Sequence, residues 1–227
     1  MAMLLSPDFD EALVFASRLH AGQLRKGSPT PYVAHLLAVT AIVLEHGGTE
    51  AEAIAALLHD AVEDQGGAAT RAKIRRRFGE AVAAIVDVCT DAETEPKPPW
   101  RERKEAYVAH LVHASPSVRL VAAADKLHNA RSILADYQRL GEHGEEIWSR
   151  FRVGRADTLW FYRAVVDALR TAEPTPVVEE LTRAVDALER LGTAPATRSP
   201  PALGSTPSVG SATAGPWSGA DAADPNR

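Results

Sequence analysis

AIAALLHDAVED, residues 53–64, places a histidine, an aspartate and two further carboxylates inside a run of alanine, leucine, isoleucine and valine. The apolar residues recur with the three-to-four spacing of a buried helix. An ionisable pair such as His59-Asp60 is costly to bury in that setting unless something compensates its charge, and a bound divalent cation does so. Read as one continuous helix, the spacing sets His59 under Glu63 and Asp60 under Asp64, so a single turn presents all four groups.

Helical signals extend outward in both directions. Upstream, Thr49 and Glu52 form a T-x-x-E capping box that opens this helix, just after Gly47-Gly48 closes a helix running from about Pro31. Ser6-Pro7-Asp8 starts a first helix that runs to about Gly22, and the basic loop LRKGSPTP follows it. Downstream, Gly66-Gly67 is a turn. Thr70 is placed to cap a short basic helix through Phe78, and Glu80–Cys89 forms another. AETEPKPP (92–99) reads as a loop, Trp100–Ala114 as an amphipathic helix, and Ser115-Pro116 restarts a long helix to about Tyr137. Two more helices are expected over Gly144–Arg170 and Pro176–Leu191. Sustained alternating strand patterns are absent, so the expected fold class is all-α. The domain is expected to span residues 1–191. From Gly192 to 227 the composition turns to Pro, Ala, Ser, Gly and Thr, and this tail is expected to be disordered because it cannot bury enough apolar surface to offset its ordering entropy.

The chain has 227 residues, 45% of them hydrophobic, which is enough for one sizeable core. Thirty acidic against 25 basic residues leave a net charge of −5, which disfavours a nucleic-acid partner. No apolar run approaches the roughly 20 residues that span a bilayer, so no membrane partner is expected. The single Cys89 has no internal partner for a disulfide, and MAMLLSPDFDEA lacks a basic segment followed by an apolar core. A cytoplasmic location is the expectation.

Two residues elsewhere complete the central motif. His35 ends PYVAH, and Asp125 sits in the apolar run VRLVAAADKLHN, where Val121, Asp125 and Asn129 share one helix face. Each has an ordinary reading: His35 as a core or surface histidine, Asp125 as a buried carboxylate paired with Arg119 or Lys126. Together, two imidazoles and two carboxylates (His35, His59, Asp60, Asp125) suit a first-row divalent ion such as manganese, iron or zinc better than calcium. Glu63 and Asp64 are candidates to orient or deprotonate an attacking water. The alternative for them is a solvated acidic helix end, which the helix dipole disfavours. Arg25 and Lys26, ordinarily a solvated loop, stand close before His35 and are candidates for a substrate phosphate or base. The cluster Arg71, Lys73, Arg75, Arg76 and Arg77 reads as a solvated face. His20, His46, His110, His113 and His143 have no matching spacing, and His128 is read as packing or as an outer residue of the site.

The segments AGQLRKGSPTPYVAH (21–35), ALLHDAVED (56–64), FGEAVAAIVDVCTD (78–91) and AADKLHNARSIL (123–134) together resemble the hydrolase domain of the RelA/SpoT-type alarmone enzymes, an HD-domain helical bundle. The resemblance covers roughly residues 8–170, and no synthetase-like segment follows it, as in stand-alone small alarmone hydrolases. It implies hydrolysis of the 3′-pyrophosphate of ppGpp or pppGpp to GDP or GTP, a small-molecule nucleotide substrate linked to the stringent response, with Mn²⁺ at the HD site. It assigns His35, His59, Asp60 and Asp125 as metal ligands and Glu63 and Asp64 as the water-activating pair. Arg25 and Lys26 match the guanine-contacting loop and Asn129 a substrate contact, with Lys126, Arg131 and Arg155 as further substrate contacts. The chain departs from the commoner pattern at SPTP and at Gln65. A related phosphohydrolase of adenosine alarmones or NADPH is the alternative enzyme. An idle regulatory module would be expected to have lost a ligand or the Glu63-Asp64 pair, and this chain keeps them.

Overall fold

The computed structural model describes residues 4–90, 98–172 and 174–191. They form helices α1 (Pro7–Leu19), α2 (Val33–Glu45), α3 (Glu50–Leu58), α4 (Ala61–Asp64), α5 (Gly67–Cys89), α6 (Trp100–Val112) and α7 (Pro116–Leu140). A 3₁₀ segment, Gly141–Arg150, leads into α8 (Gly154–Arg170) and α9 (Pro176–Arg190). Among the described residues the extended structure is one isolated antiparallel bridge, Leu24 with Pro31. The expected loop over 92–99 and the expected tail over 192–227 lie largely or wholly outside the described residues. No described helix is long and apolar enough to cross a membrane.

The helix starts follow from their caps. Ser6 accepts from the Asp8 amide at 3.2 Å and Ser115 from the Val118 amide at 3.3 Å, each with proline in the first turn. The Thr49–Glu52 capping box is present: the Thr49 amide donates to Glu52 Oε2 at 2.6 Å while Thr49 Oγ1 accepts from the Glu52 amide. Such a cap contributes about 1 kcal/mol. α7 is the central element, packed against α2, α3, α5, α9 and the 3₁₀ segment. Its Val121–Ala124 run is fully buried, so the backbones of neighbouring helices approach it closely and whatever α7 carries on that face meets α2 and α3.

The helix boundaries differ from the sequence expectation at three places. The first is the motif itself: α3 ends at Leu58 and α4 begins at Ala61, leaving His59 and Asp60 in a turn with helical dihedrals. The His59 ring Nδ1 occupies the Ala56 carbonyl at 2.8 Å, an acceptor that an uninterrupted helix would give to the Asp60 amide. Secondly, Thr70 is not a cap. Its hydroxyl donates back to the Gln65 carbonyl from inside α5, which starts at Gly67 and bends at Gly79, where φ is 85°. Thirdly, the expected helix over Gly144–Arg170 is divided by a break at Phe151–Val153 between the 3₁₀ segment and α8.

Candidate active site

The loop between α1 and α2 is a short hairpin: the Arg25 amide donates to the Thr30 carbonyl at 2.8 Å and the Tyr32 amide to the Gln23 carbonyl at 2.9 Å. It carries Gln23, Arg25 and Lys26 and leads through Tyr32 to His35 in the first turn of α2. From α2 comes His35, from the α3–α4 turn His59 and Asp60, and from the middle of α7 Asp125. His35, His59 and Asp125 are buried, at 1%, 2% and 6% exposure, while Asp60 is half-buried.

The four side chains converge. Ligand atoms of His35, His59 and Asp125 all lie within 4.8 Å of one another. Asp60 Oδ2 stands 2.9 Å from His59 Nε2 and 3.6 Å from His35 Nε2, and Asp125 Oδ1 lies 3.2 Å from His35 Nε2 and 3.6 Å from His59 Nε2. Both Nε2 atoms are nevertheless buried without a hydrogen-bond partner of acceptable geometry. Their tautomers follow from the other ring nitrogen. His59 Nδ1 faces a carbonyl and must donate, so in the neutral ring the lone pair is on Nε2, the position that a proton or a cation competes for. His35 Nδ1 lies 2.7 Å from His128 Nδ1. Burial, reinforced by the neighbouring His35 and Arg25, holds His128 down at about 4, so it is neutral near pH 7 and can accept the His35 proton. Two buried lone pairs with Asp125 grouped beside them, and Asp60 within 3.6 Å of both rings, are the donor types that a divalent first-row ion takes.

The charges agree. Burial opposes a proton on His59, yet Asp60 and Asp125 outweigh it and hold this imidazole well above its ordinary range. Burial likewise opposes ionisation of Asp60 and Asp125, but His59 for the first and Lys126 for the second hold each well below the usual carboxylate range. The cluster thus attracts positive charge at its centre, and a proton on His59 stands where a cation's charge would go. Tyr32 donates its hydroxyl to Asp60 Oδ2 at 2.5 Å, and burial, with Asp60 beside it, keeps that phenol protonated. Lys126, not Arg119, pairs with Asp125, its Nζ at 2.5 Å from Oδ2. Arg119 instead caps the α6 terminus through the carbonyls of Leu111 and Val112.

A cavity of about 600 Å³ opens beside the cluster and is lined by His35 from it and by its neighbours Lys126, His128 and Asn129. Its wall is rich in cations and aromatic rings, with Arg25, Lys26, Lys104, Arg139, Arg150 and Arg152 beside Tyr32, Trp100, Phe151, Phe161 and Tyr162, and it includes one carboxylate, Asp136, which pairs with Arg139 at 2.6 Å and Arg150 at 2.7 Å. Arg25 is held by Asn129, whose Oδ1 accepts from Nη2 at 2.9 Å, and Asn129 Nδ2 donates onward to Asp125 Oδ1 at 2.6 Å. The Arg25 guanidinium stands 6.0 Å from the Tyr32 ring centre, and Lys26 Nζ 5.9 Å from that of Phe151. Gly27 has a positive φ of 71°, and a Cβ there would come within 2.8 Å of the Arg150 side chain, so glycine is what lets Arg150 cross the loop.

Of the residues singled out in the sequence, Arg25, Lys26, Lys126 and Asn129 line this cavity. Arg131 and Arg155 do not. Arg131 pairs with Glu180 at 2.5 Å, and Arg155 donates to the Leu191 carbonyl and lies over Trp148, both tying the C-terminal helices together. Glu63 and Asp64 follow the ligand turn in α4, and Asp64 Oδ2 accepts from Gln23 Nε2 at 2.7 Å. Partial desolvation raises the Asp64 carboxyl above its usual range, against the pull of that hydrogen bond. The basic face of α5 is engaged in surface pairs, Arg71 and Arg75 with Asp87 and Arg77 with Glu11. Sequence reading missed Gln23, Tyr32, Lys104, Arg139, Arg150 and Arg152. Tyr32 alone had a local signal, one helical turn before His35.

Known proteins are similar to this chain. A family model described as HD domain matches residues 12–159. The guanosine-3′,5′-bis(diphosphate) 3′-pyrophosphohydrolase MESH1 of Xenopus tropicalis is 41% identical over 146 residues, covering 63% of this chain and 75% of that protein. Its human counterpart is 39% identical over the same span. A solved structure described as "A metazoan ortholog of SpoT hydrolyzes ppGpp and plays a role in starvation responses" superposes with a TM-score of 0.63 at 28% identity, covering 83% of this chain and 97% of that one.

Proposed function

The chain belongs to the HD-domain family, and from that premise we propose that it hydrolyses the 3′-pyrophosphate of guanosine alarmones, converting ppGpp or pppGpp to GDP or GTP with release of pyrophosphate. The observation that carries this reading is the pair of buried, unpartnered Nε2 atoms aimed at Asp60 and Asp125 beside a cationic, aromatic cavity. The relatives named above supply the substrate class.

His35, His59, Asp60 and Asp125 would hold one divalent ion, with Mn²⁺ as the proposed occupant. When bound, such an ion supplies Lewis acidity, which lowers the pKa of water and polarises a phosphoryl oxygen. This chain's residues divide the rest. Glu63 and Asp64 take the proton of the attacking water, and Asp64 is suited to it because its raised carboxyl lies closer to a working pH than a free carboxylate does. The water oxygen bonds to the phosphorus attached to the ribose 3′ oxygen. The bond from that phosphorus to the 3′ oxygen breaks, the oxygen takes up a proton, and pyrophosphate leaves. Arg25 and Lys26, each lying against an aromatic ring, hold the flat guanine side, and Asn129 couples that loop to Asp125. Lys126 keeps Asp125 ionised and oriented. The other cavity cations, Lys104, Arg139, Arg150 and Arg152, offer charge to the remaining phosphates.

A product assay with Mn²⁺ over a panel of ppGpp, pppGpp, their adenosine counterparts and NADPH tests the proposal. Turnover of the guanosine tetra- or pentaphosphate to intact pyrophosphate is expected. Release of orthophosphate alone, or preference for NADPH or adenosine nucleotides, would replace this reading with a broader nucleotide phosphohydrolase.

A further inference from the structure

Gln23 lies at the junction of a hydrogen-bond network that reaches the proposed base, and none of its members is a metal ligand. Its Nε2 donates to Asp64 Oδ2 at 2.7 Å, its Oε1 stands 2.7 Å from Gln65 Nε2, and the same Oε1 is 2.7 Å from His20 Nδ1. The amide orientation is dictated by its partners. An ionised carboxylate only accepts, so the Gln23 amide nitrogen must face Asp64 and its oxygen must face the other two groups. Gln65 then has to present its own amide nitrogen, and His20 has to carry its proton on Nδ1. His20 is 2% exposed and stacked on Tyr32 with ring centres 5.3 Å apart, so it provides a rigid anchor. The Gln23 backbone is fixed as well, its amide donating to the His20 carbonyl at 3.0 Å and its carbonyl accepting from the Tyr32 amide at 2.9 Å.

Asp64 itself is exposed and sits at the end of a helix of four residues, a setting in which a carboxylate would otherwise sample several rotamers. We propose that Gln23 is a positioning residue for Asp64, held in its working orientation by His20 and Gln65, so that the hairpin which carries the nucleotide-facing Arg25 and Lys26 also sets the direction of the base. The inference rests on Asp64 acting as the base in the reading above. It adds that Gln65, where the chain departs from the commoner sequence pattern, serves this same network. One short loop would thereby couple substrate contact to water activation: Arg25 is two residues from Gln23, and each is hydrogen-bonded across to a different helix of the site.

The test uses the full-length chain loaded with Mn²⁺ and the variants Gln23→Met, which keeps the side-chain length without the amide, and Gln65→Met. For Gln23→Met, kcat on ppGpp is expected to fall by up to about 10²-fold, the loss that follows from misplacing a reacting group, while KM and metal content stay at wild-type values. Gln65→Met should act in the same direction but less, since His20 still holds the Gln23 oxygen. In an Asp64→Asn background, Gln23→Met should cost nothing further, because its effect passes through Asp64. A crystal structure of Gln23→Met should show Asp64 in a changed or multiple rotamer. The proposal is overturned by an Asp64 that keeps its place in that structure, by a loss that appears in KM instead of kcat, or by losses that add in the double variant. Should wild-type protein leave ppGpp intact, the alarmone reading falls, and the Asp64 rotamer in the Gln23→Met structure still decides this inference.

Discussion

The ligand cluster and the cationic wall of the cavity lie side by side and are built by opposite rules. His35, His59 and Asp125 are nearly inaccessible and come from α2, the end of α3 and α7, helices whose buried faces pack against one another. The wall cations come from the α1–α2 hairpin, α6, the end of α7, the 3₁₀ segment and the turn after it, and Arg139 and Arg152 are exposed. A polar group in the core is tolerated only with a compensating partner, so its position is strictly determined. A surface cation costs little wherever it stands, and its role is set by where the fold happens to fold it back. The cluster should therefore respond to substitution steeply and as a unit, and the wall gradually and residue by residue.

The largest effect is expected from Asp60→Asn, which removes a charge that both faces His59 and accepts from Tyr32. Bound Mn²⁺ and turnover should be lost together, beyond the roughly 10- to 100-fold cost typical of an outer partner. Elemental analysis of the purified variant checks it, and full occupancy would remove Asp60 from the ligand set. A step smaller is His128→Ala. His128 binds no ion in this reading but orients the His35 ring through the Nδ1 contact, so metal affinity should fall by about 10- to 100-fold while the helical fold is retained. Unchanged affinity in a titration would show that His35 is oriented by α2 alone.

The same contrast explains what the sequence disclosed. His59-Asp60 and Asp125 were legible because charged residues inside apolar, helix-spaced runs have few structural explanations, and Ser6, Thr49 and Ser115 marked helix starts through side chains that satisfy local amides. The break between α3 and α4 was not legible, since it depends on the His59 ring taking the Ala56 carbonyl, a choice of rotamer that no spacing encodes. Gln23 was passed over for a similar reason: two of its three side-chain partners, Asp64 and Gln65, lie more than forty positions away, and an uncharged residue in a basic loop carries little local signal. Arg139, Arg150 and Arg152 look in sequence like ordinary surface arginines, and only the path of the chain after α7 brings them to the cavity.

Arg152 and Arg155 sharpen the comparison to its finest point, because they are three residues apart and the resemblance pointed to Arg155 as a substrate contact while Arg152 is the one that lines the cavity. Arg152 lines the cavity, whereas Arg155 is turned toward the C-terminal end of α9, with its guanidinium donating to the Leu191 carbonyl and lying 5.7 Å from the Trp148 ring centre. Removing a charged donor from a phosphate-bearing ligand costs about 1.5 kcal/mol at the low end, so Arg152→Ala should raise KM for the nucleotide by roughly tenfold with little change in kcat. Arg155→Ala should leave KM and kcat as they are and lower the unfolding free energy by roughly 1 kcal/mol, visible as a modest fall in Tm. Steady-state kinetics and thermal unfolding on the two variants check both halves. A KM effect at Arg155 with none at Arg152 would mean that the turn between the 3₁₀ segment and α8 rearranges when nucleotide binds, and that the gradual, residue-by-residue behaviour of the wall belongs to a different set of cations.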